Sequence, residues 1–451
     1  MTASDICFAP ISELSRMIAR RELSHSEIIS CFLTRIERYN SVARAFIEVS
    51  AEAAMKAARR YDALTAGAQS PLHGIPFSSK DLIDIAGVAT TGGSRAFADN
   101  IATSNSFLIE RMLQAGAISL GKNNLHAFAY GATGENSTYG TAVNAYDHCR
   151  LAGGSSSGSA AAVAFGLAPA AFGTDTGGSI RAPAALSGLV GLKPTMGRIS
   201  SRGVMPYCWT LDHIGILART VADAGLLLQT VAGYDPEDPN SAKEPVENYT
   251  PAPFFDLKGL RVGLPSSFYF EKCDPEILAA TKRVIERLEE GGASLREVQL
   301  PAMEEARTVS LTVQMPEALS YHSRYLEEKA ELYEADFRAG LALGQCLLAE
   351  HYLRAKRFIT RYRQETDAVF KDVDVIITPG APVVAPRVGQ AFIDWGGDQE
   401  PVGNAITRYT SFFNMTGHPA IALPSGLHSS GLSVAARIEA QGTPLPSPPL
   451  P

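Results

Sequence analysis

Two Gly/Ser-rich loops lie close together in the chain, Gly153-Gly154-Ser155-Ser156-Ser157-Gly158-Ser159 and Gly173-Thr174-Asp175-Thr176-Gly177-Gly178-Ser179. Each runs into an apolar segment of small residues. The stretch 160–165 reads as a buried helix, and 180–186 as a second helix start, with Pro183 tolerated in the first turn. Backbone N–H groups at such a start have no acceptor inside the helix and can receive negative charge. Ser179 would place a hydroxyl beside the amides of Thr176, Gly177 and Gly178, the layout that nucleophilic catalysis with an oxyanion hole requires. A Ser hydroxyl is a weak nucleophile and needs a base.

Two other readings of glycine-rich loops are weaker. A linker would be polar on both sides, whereas these loops are wedged between apolar runs. A phosphate cradle would need a Lys after the Gly of the first loop, or the dinucleotide fingerprint after a strand, and neither is present. A candidate base comes earlier. The stretch 72–84 is β-like, with Ile75-Pro76-Phe77-Ser78-Ser79 ending in Lys80-Asp81. Lys is almost never fully buried without a partner, so a Lys in an apolar strand is unusual. From this stretch alone, a snorkelling surface Lys and a functional Lys stand equally open.

These segments, followed by Gly188-Leu-Val-Gly-Leu-Lys193-Pro194-Thr195, resemble the signature of the amidase signature family. Pro71-Leu-His-Gly74-Ile-Pro76-Phe-Ser-Ser-Lys80-Asp81 resembles its lysine motif; Ser201 to Pro206 and Leu211-Asp212-His213-Ile-Gly215 also match. The resemblance spans roughly residues 10 to 435. It implies an α/β fold in one large domain, with a central mixed, twisted sheet covered on both sides by helices. It implies hydrolysis of a carbon–nitrogen bond through an acyl-enzyme. It assigns Ser179 as nucleophile, Ser155 as the bridging Ser preceded by a cis peptide, and Lys80 as base. Ser155 would take the proton of Ser179 and hand its own to Lys80.

Lys80 must then be neutral at rest. An ordinary Lys titrates near ~10.4, so burial must disfavour its ammonium form. The oxyanion would be held by the amides of Thr176, Gly177, Gly178 and Ser179, where a side chain would block the substrate carbonyl. Asp175 and Arg181 could brace this loop, with a plain surface salt bridge as the competing view, and Ser156 could support Lys80 or its neighbours. Ser157 departs from the family, which more often has Gly there. Gly121 to Gly131 resembles the loop along one wall of the family's active site, so Tyr130 and the backbone at Gly131 are candidate substrate contacts. That Phe128 and Tyr130 are core aromatics stays an open alternative.

Length alone would allow about three domains in 451 residues, but nothing in the sequence marks a boundary. Hydrophobic residues make up 45%, enough for a sizeable core, and the net charge of −7 with no basic run argues against a nucleic-acid partner. Six scattered cysteines and nine histidines form no metal-ligand spacing, and no cofactor is implied. No signal-peptide pattern is evident, and no apolar run approaches the ~20 residues of a membrane span, so a soluble cytoplasmic protein is expected. A homodimer is left open.

Residues 1–65 read as helices that pack on the outside, 66–220 as the signature core, and 221–435 as the second part of the sheet with a long helical region at 304–370. Strands are expected at 117–120, 260–264, 295–300 and 373–379, and a helix at 275–290. The last two family-like units, 373–379 and 414–424, read as structural. Residues 436–451 form a Pro-rich tail that cannot be a helix. It departs from the strand and C-terminal helix usual in the family and reads as disordered or as a truncation.

The leading functional expectation is hydrolysis of a small-molecule amide, with Tyr130, Tyr139, Tyr207 and Trp209 pointing to an apolar or aryl substrate such as an anilide or carbamate. The alternative is the glutaminase subunit of a tRNA-dependent amidotransferase. That class carries an acidic pair where this chain has Leu125-His126-Ala127. A protein that binds an anion in the loops is the third.

Overall fold

A computed structural model describes residues 2–64, 70–252, 256–301 and 303–442. One sheet of eleven strands runs through the molecule. From edge to edge its strands are Phe46–Val49, Ile118–Asn123, Pro76–Lys80, Ala170–Asp175, His213–Ala218, Val190–Lys193, Ala420–Leu427, Ser433–Ala440, Val375–Pro379, Arg261–Pro265 and Ser294–Val298. Pairing is parallel around Pro76–Lys80 and again around Arg261–Pro265, and antiparallel from Ala170–Asp175 through Ser433–Ala440 to Val375–Pro379. Helices cover the strands near the site, which explains why Pro76–Lys80 and Ala170–Asp175 are buried at every position.

The N-terminal helices form where local chemistry favours them. Ser24 caps His25–Ala43 with a reciprocal capping box to Glu27. Asp274 caps Pro275–Glu290, with Pro275 in the first turn. Ile11, Leu14, Met17 and Ile18 turn inward together from Ile11–Ala19.

The structure departs from the sequence expectations in three places. Phe46–Val49, inside the stretch read as helical, is an edge strand paired with Ile118–Asn123. The long helical region is three helices, Met303–Lys329, Ala335–Cys346 and Ala349–Val369. No Gly or Pro lies in the first break, and Gly344 stands in the last turn before the second, its carbonyl accepting from Leu347 N. Phe128 stacks on Tyr333 at 5.0 Å and on Phe337 at 4.8 Å, anchoring the second helix against the loop before Gly131. Residues 436–440 belong to the strand Ser433–Ala440 rather than to the tail, and 443–451 lie outside the described residues.

One irregularity matters for the site. The register of Pro76–Lys80 against Ile118–Asn123 slips between Phe77 and Ser79, so that Ser79 opposes Lys122 and Lys80 opposes Asn123. Gly121 takes φ +134 at this bulge, and a Cβ there would lie 2.2 Å from the carbonyl oxygen of Glu48.

Candidate active site

Lys80 ends a central strand and is fully buried. Its Nζ lies 2.7 Å from Ser155 Oγ and 2.8 Å from Thr174 Oγ1. Three segments meet here. The first is the strand carrying Lys80. The second is the turn before helix Ser157–Ala164, where the Gly154–Ser155 peptide is cis. The third is the end of strand Ala170–Asp175, which supplies Thr174. Burial pushes the Lys80 pKa down to about 7, against a smaller opposing pull from Asp212 and Asp175. An amine in that state is uncharged in a large fraction of molecules at neutral pH.

Ser179 follows in the turn before helix Arg181–Ser187. Its carbonyl accepts from Ser156 N at 3.3 Å, which ties the two serine loops together. Ser179 faces a cavity of about 320 Å³ whose wall includes Tyr130, Gly131, Thr176, Gly177 and Tyr207. Among the described residues, the amides of Thr176, Gly177 and Ser179 have no protein acceptor. The Gly178 amide differs: it donates to Asp175 Oδ1 at 2.8 Å, so it is not free for a substrate oxyanion. Gly178 has a backbone role instead. Its φ is +127, and a Cβ would meet Thr410 Oγ1 at 2.1 Å.

The Asp175–Arg181 pair is no surface bridge. Both side chains are fully buried and meet at 2.9 Å. Burial alone would raise the Asp175 pKa, but the Arg181 guanidinium holds it far below the ordinary carboxylate range. Asp175 also receives the amides of Gly178 and Ile180, so one carboxylate shapes the whole turn. Ser156 Oγ donates to the Thr174 carbonyl at 3.1 Å, which supports the neighbour of Lys80 rather than Lys80 itself. Ser157 Oγ reaches the Gly134 carbonyl at 3.4 Å.

An amidase family pattern matches residues 27–443. An amidase of Pseudomonas putida is 40% identical over 95% of this chain and 91% of its own length. A glutamyl-tRNA(Gln) amidotransferase subunit of Chloroflexus aggregans is 38% identical over 96% of this chain and 93% of its own. Among solved structures, a vestigial complex bearing on the origins of an s-triazine catabolic enzyme superposes with a TM-score of 0.89 at 32% identity, covering 96% of this chain and 95% of that one. The chain belongs to the amidase signature family. It is an amide-hydrolysing enzyme.

Within this amidase fold, several residues that sequence reasoning passed over touch the site. Thr174 is the second acceptor for Lys80; strand alternation offered a signal, since Thr174 and Phe172 share a face of their strand. Asp212, quoted only as part of a motif, accepts from Thr176 Oγ1 at 2.5 Å and from the amides of Tyr207 and Cys208. Burial raises its pKa to about 6, against the hydrogen bonds from Thr176, Cys208 and Tyr207. Asn414, read as structural, donates to both the carbonyl and the carboxylate of Asp175. Arg307 enters the cavity wall from the helix Met303–Lys329, and nothing in the spacing marked it.

The aromatic residues divide. Tyr130 and Tyr207 line the cavity; Tyr139 and Trp209 do not, and Trp209 is 61% exposed. Phe128 is core, whereas Tyr130 is half-buried: it packs against Tyr207 and Phe337 and also borders the cavity. Among the described residues no group of His, Cys, Asp or Glu is placed to hold a metal ion, and no helix is long and apolar enough to cross a membrane.

Proposed function

We propose that the enzyme cleaves the C–N bond of a small-molecule amide through a covalent acyl-enzyme on Ser179. The reading is carried by the contact between buried Lys80 and Ser155 at 2.7 Å. Neutral Lys80 takes the proton of Ser155, Ser155 takes that of Ser179, and Ser179 Oγ attacks the carbonyl carbon. Negative charge on the carbonyl oxygen falls to the free amides of Gly177 and Ser179, with Thr176 beside them. The ammonium of Lys80 then returns a proton through Ser155 to the leaving nitrogen. Water, deprotonated along the same relay, attacks the ester carbonyl, and the acid leaves. Aromatic Tyr130 and Tyr207 on the wall support an aryl or otherwise apolar portion in the substrate, as in an anilide or a carbamate.

The test is a hydrolysis screen over aliphatic amides, anilides, carbamates and glutamine, joined to labelling with a fluorophosphonate. One adduct on Ser179 that is absent from Ser179→Ala is the expected result. Labelling that survives in Ser179→Ala removes the assigned nucleophile.

A second reading, the glutaminase subunit of an amidotransferase, is favoured by the Chloroflexus relative. Against it, His126 stands where that class has acidic residues, with its Nε2 2.8 Å from Asp336 Oδ2. Ammonia release from glutamine only in the presence of a co-purifying partner would decide for this reading.

A further inference from the structure

The wall of the Ser179 cavity holds one charged side chain, and it is a cation. Among the described lining residues there is no Asp, Glu or Lys, only Arg307. Its guanidinium donates to Thr407 Oγ1 at 2.7 Å and to Asn404 Oδ1 at 2.5 Å, both neutral. Two of its five N–H bonds are thus used, and among the described residues it makes no salt bridge. The nearest influential carboxylate, Glu400, is already committed to Arg408 at 2.8 Å and to Trp395 Nε1 at 2.9 Å. Burial pushes the Arg307 pKa down from its ordinary value, the sign of a cation that has lost water without gaining an anion.

A second polar group on the same wall also lacks a partner. Tyr207 is only 3% exposed, and among the described residues its hydroxyl has no hydrogen-bond partner. An unpartnered buried hydroxyl carries a desolvation cost unless a ligand completes it. Arg307 supplies a planar fork that suits a carboxylate, and Tyr207 supplies one further O–H donor.

We propose that the enzyme's substrates are amides that also bear a carboxylate, and that Arg307 and Tyr207 bind this group. The inference rests on amide cleavage at Ser179 as read above. The cavity of about 320 Å³ restricts the substrate to a small molecule.

The test compares kcat/KM for matched pairs: succinamate with butyramide, glutaramate with valeramide, and, with the acid on the amine side, N-acetylglycine with N-ethylacetamide. At least one acid is expected to exceed its neutral partner by about a hundredfold. Arg307→Met is expected to bring that ratio close to one, Arg307→Lys to leave it intermediate, and Tyr207→Phe to lower it about tenfold. Thermal unfolding reports whether Arg307→Met folds without its contacts to Thr407 and Asn404. If it does not, Tyr207→Phe decides, because that change removes only an unbonded hydroxyl. Equal rates for acids and neutral amides in the wild type, or a ratio that survives both changes, overturns the proposal while leaving Ser179 chemistry intact. A chain that cleaves no amide of either kind defeats the Ser179 reading, and this proposal with it.

Discussion

Two lysines lie side by side in neighbouring strands, and their surroundings separate two uses of a buried amine. Lys122 meets Asp81 at 3.0 Å and Thr90 Oγ1 at 2.9 Å, with both charged side chains almost fully buried. Lys80, opposite Asn123 in the register, has two hydroxyls and, among the described residues, no carboxylate within hydrogen-bond reach. An ion pair sets two opposite charges in contact; a lysine whose contacts are only hydroxyls has no anion in contact to offset burial and gives up its proton more readily. Burial is common to both. The partner decides which lysine is a brace and which can serve as a base. Lys193 extends the contrast: burial pushes its pKa well down, yet its Nζ hydrogen-bond partners among the described residues are the carbonyls of Pro194 and His418, not a hydroxyl.

Exchanging each lysine for Met should break the comparison most visibly. Lys80→Met is expected to lower amide turnover by about 10⁴-fold or more with the fold retained, read from kcat and circular dichroism. Lys122→Met should instead act on stability. It strands Asp81 as an unpaired buried acid, and denaturant unfolding is expected to show a loss of about 3–5 kcal/mol. Adding Asp81→Asn to that variant should recover part of the loss.

The divide between these lysines was half legible in the sequence. The apolar run before Lys80 marked it as unusual, and the motif joined it to Asp81. Successive residues of a strand point to opposite faces, so Asp81 could not serve its neighbour. It serves Lys122 at 3.0 Å, on the neighbouring strand beside the register slip. The loops around Ser155 and Ser179 were readable because their glycines and serines are consecutive. The Gly178 amide was misplaced because its acceptor, Asp175, is a side chain whose direction spacing does not reveal. Arg307, Asn414 and Asp212 reach the site from segments far apart in the chain, and only the packed sheet and helices bring them there.

Stability against pH sharpens the contrast further. The folded-state pKa of Lys80, about 7, lies below its unfolded value near ~10.4. Between these values the unfolded chain binds the extra proton, so the Lys80 contribution to stability rises with pH across that window and is absent in Lys80→Met. Chemical denaturation of the two proteins from pH 7 to pH 10 should show a steeper rise for the wild type, by up to about 1.4 kcal/mol per pH unit. A subtler change is Asp212→Asn. Asp212 favours the charged form of Lys80, so its neutralisation should move the acid limb of the rate profile to lower pH.

The most direct test is the rate at which a fluorophosphonate labels Ser179 as a function of pH. Labelling should accelerate as pH rises through about 7 and then level off, with that limb lost in Lys80→Met. A rate that is flat between pH 6 and 8 in the wild type, or a limb that persists without Lys80, would contradict the assignment of Lys80 as the base.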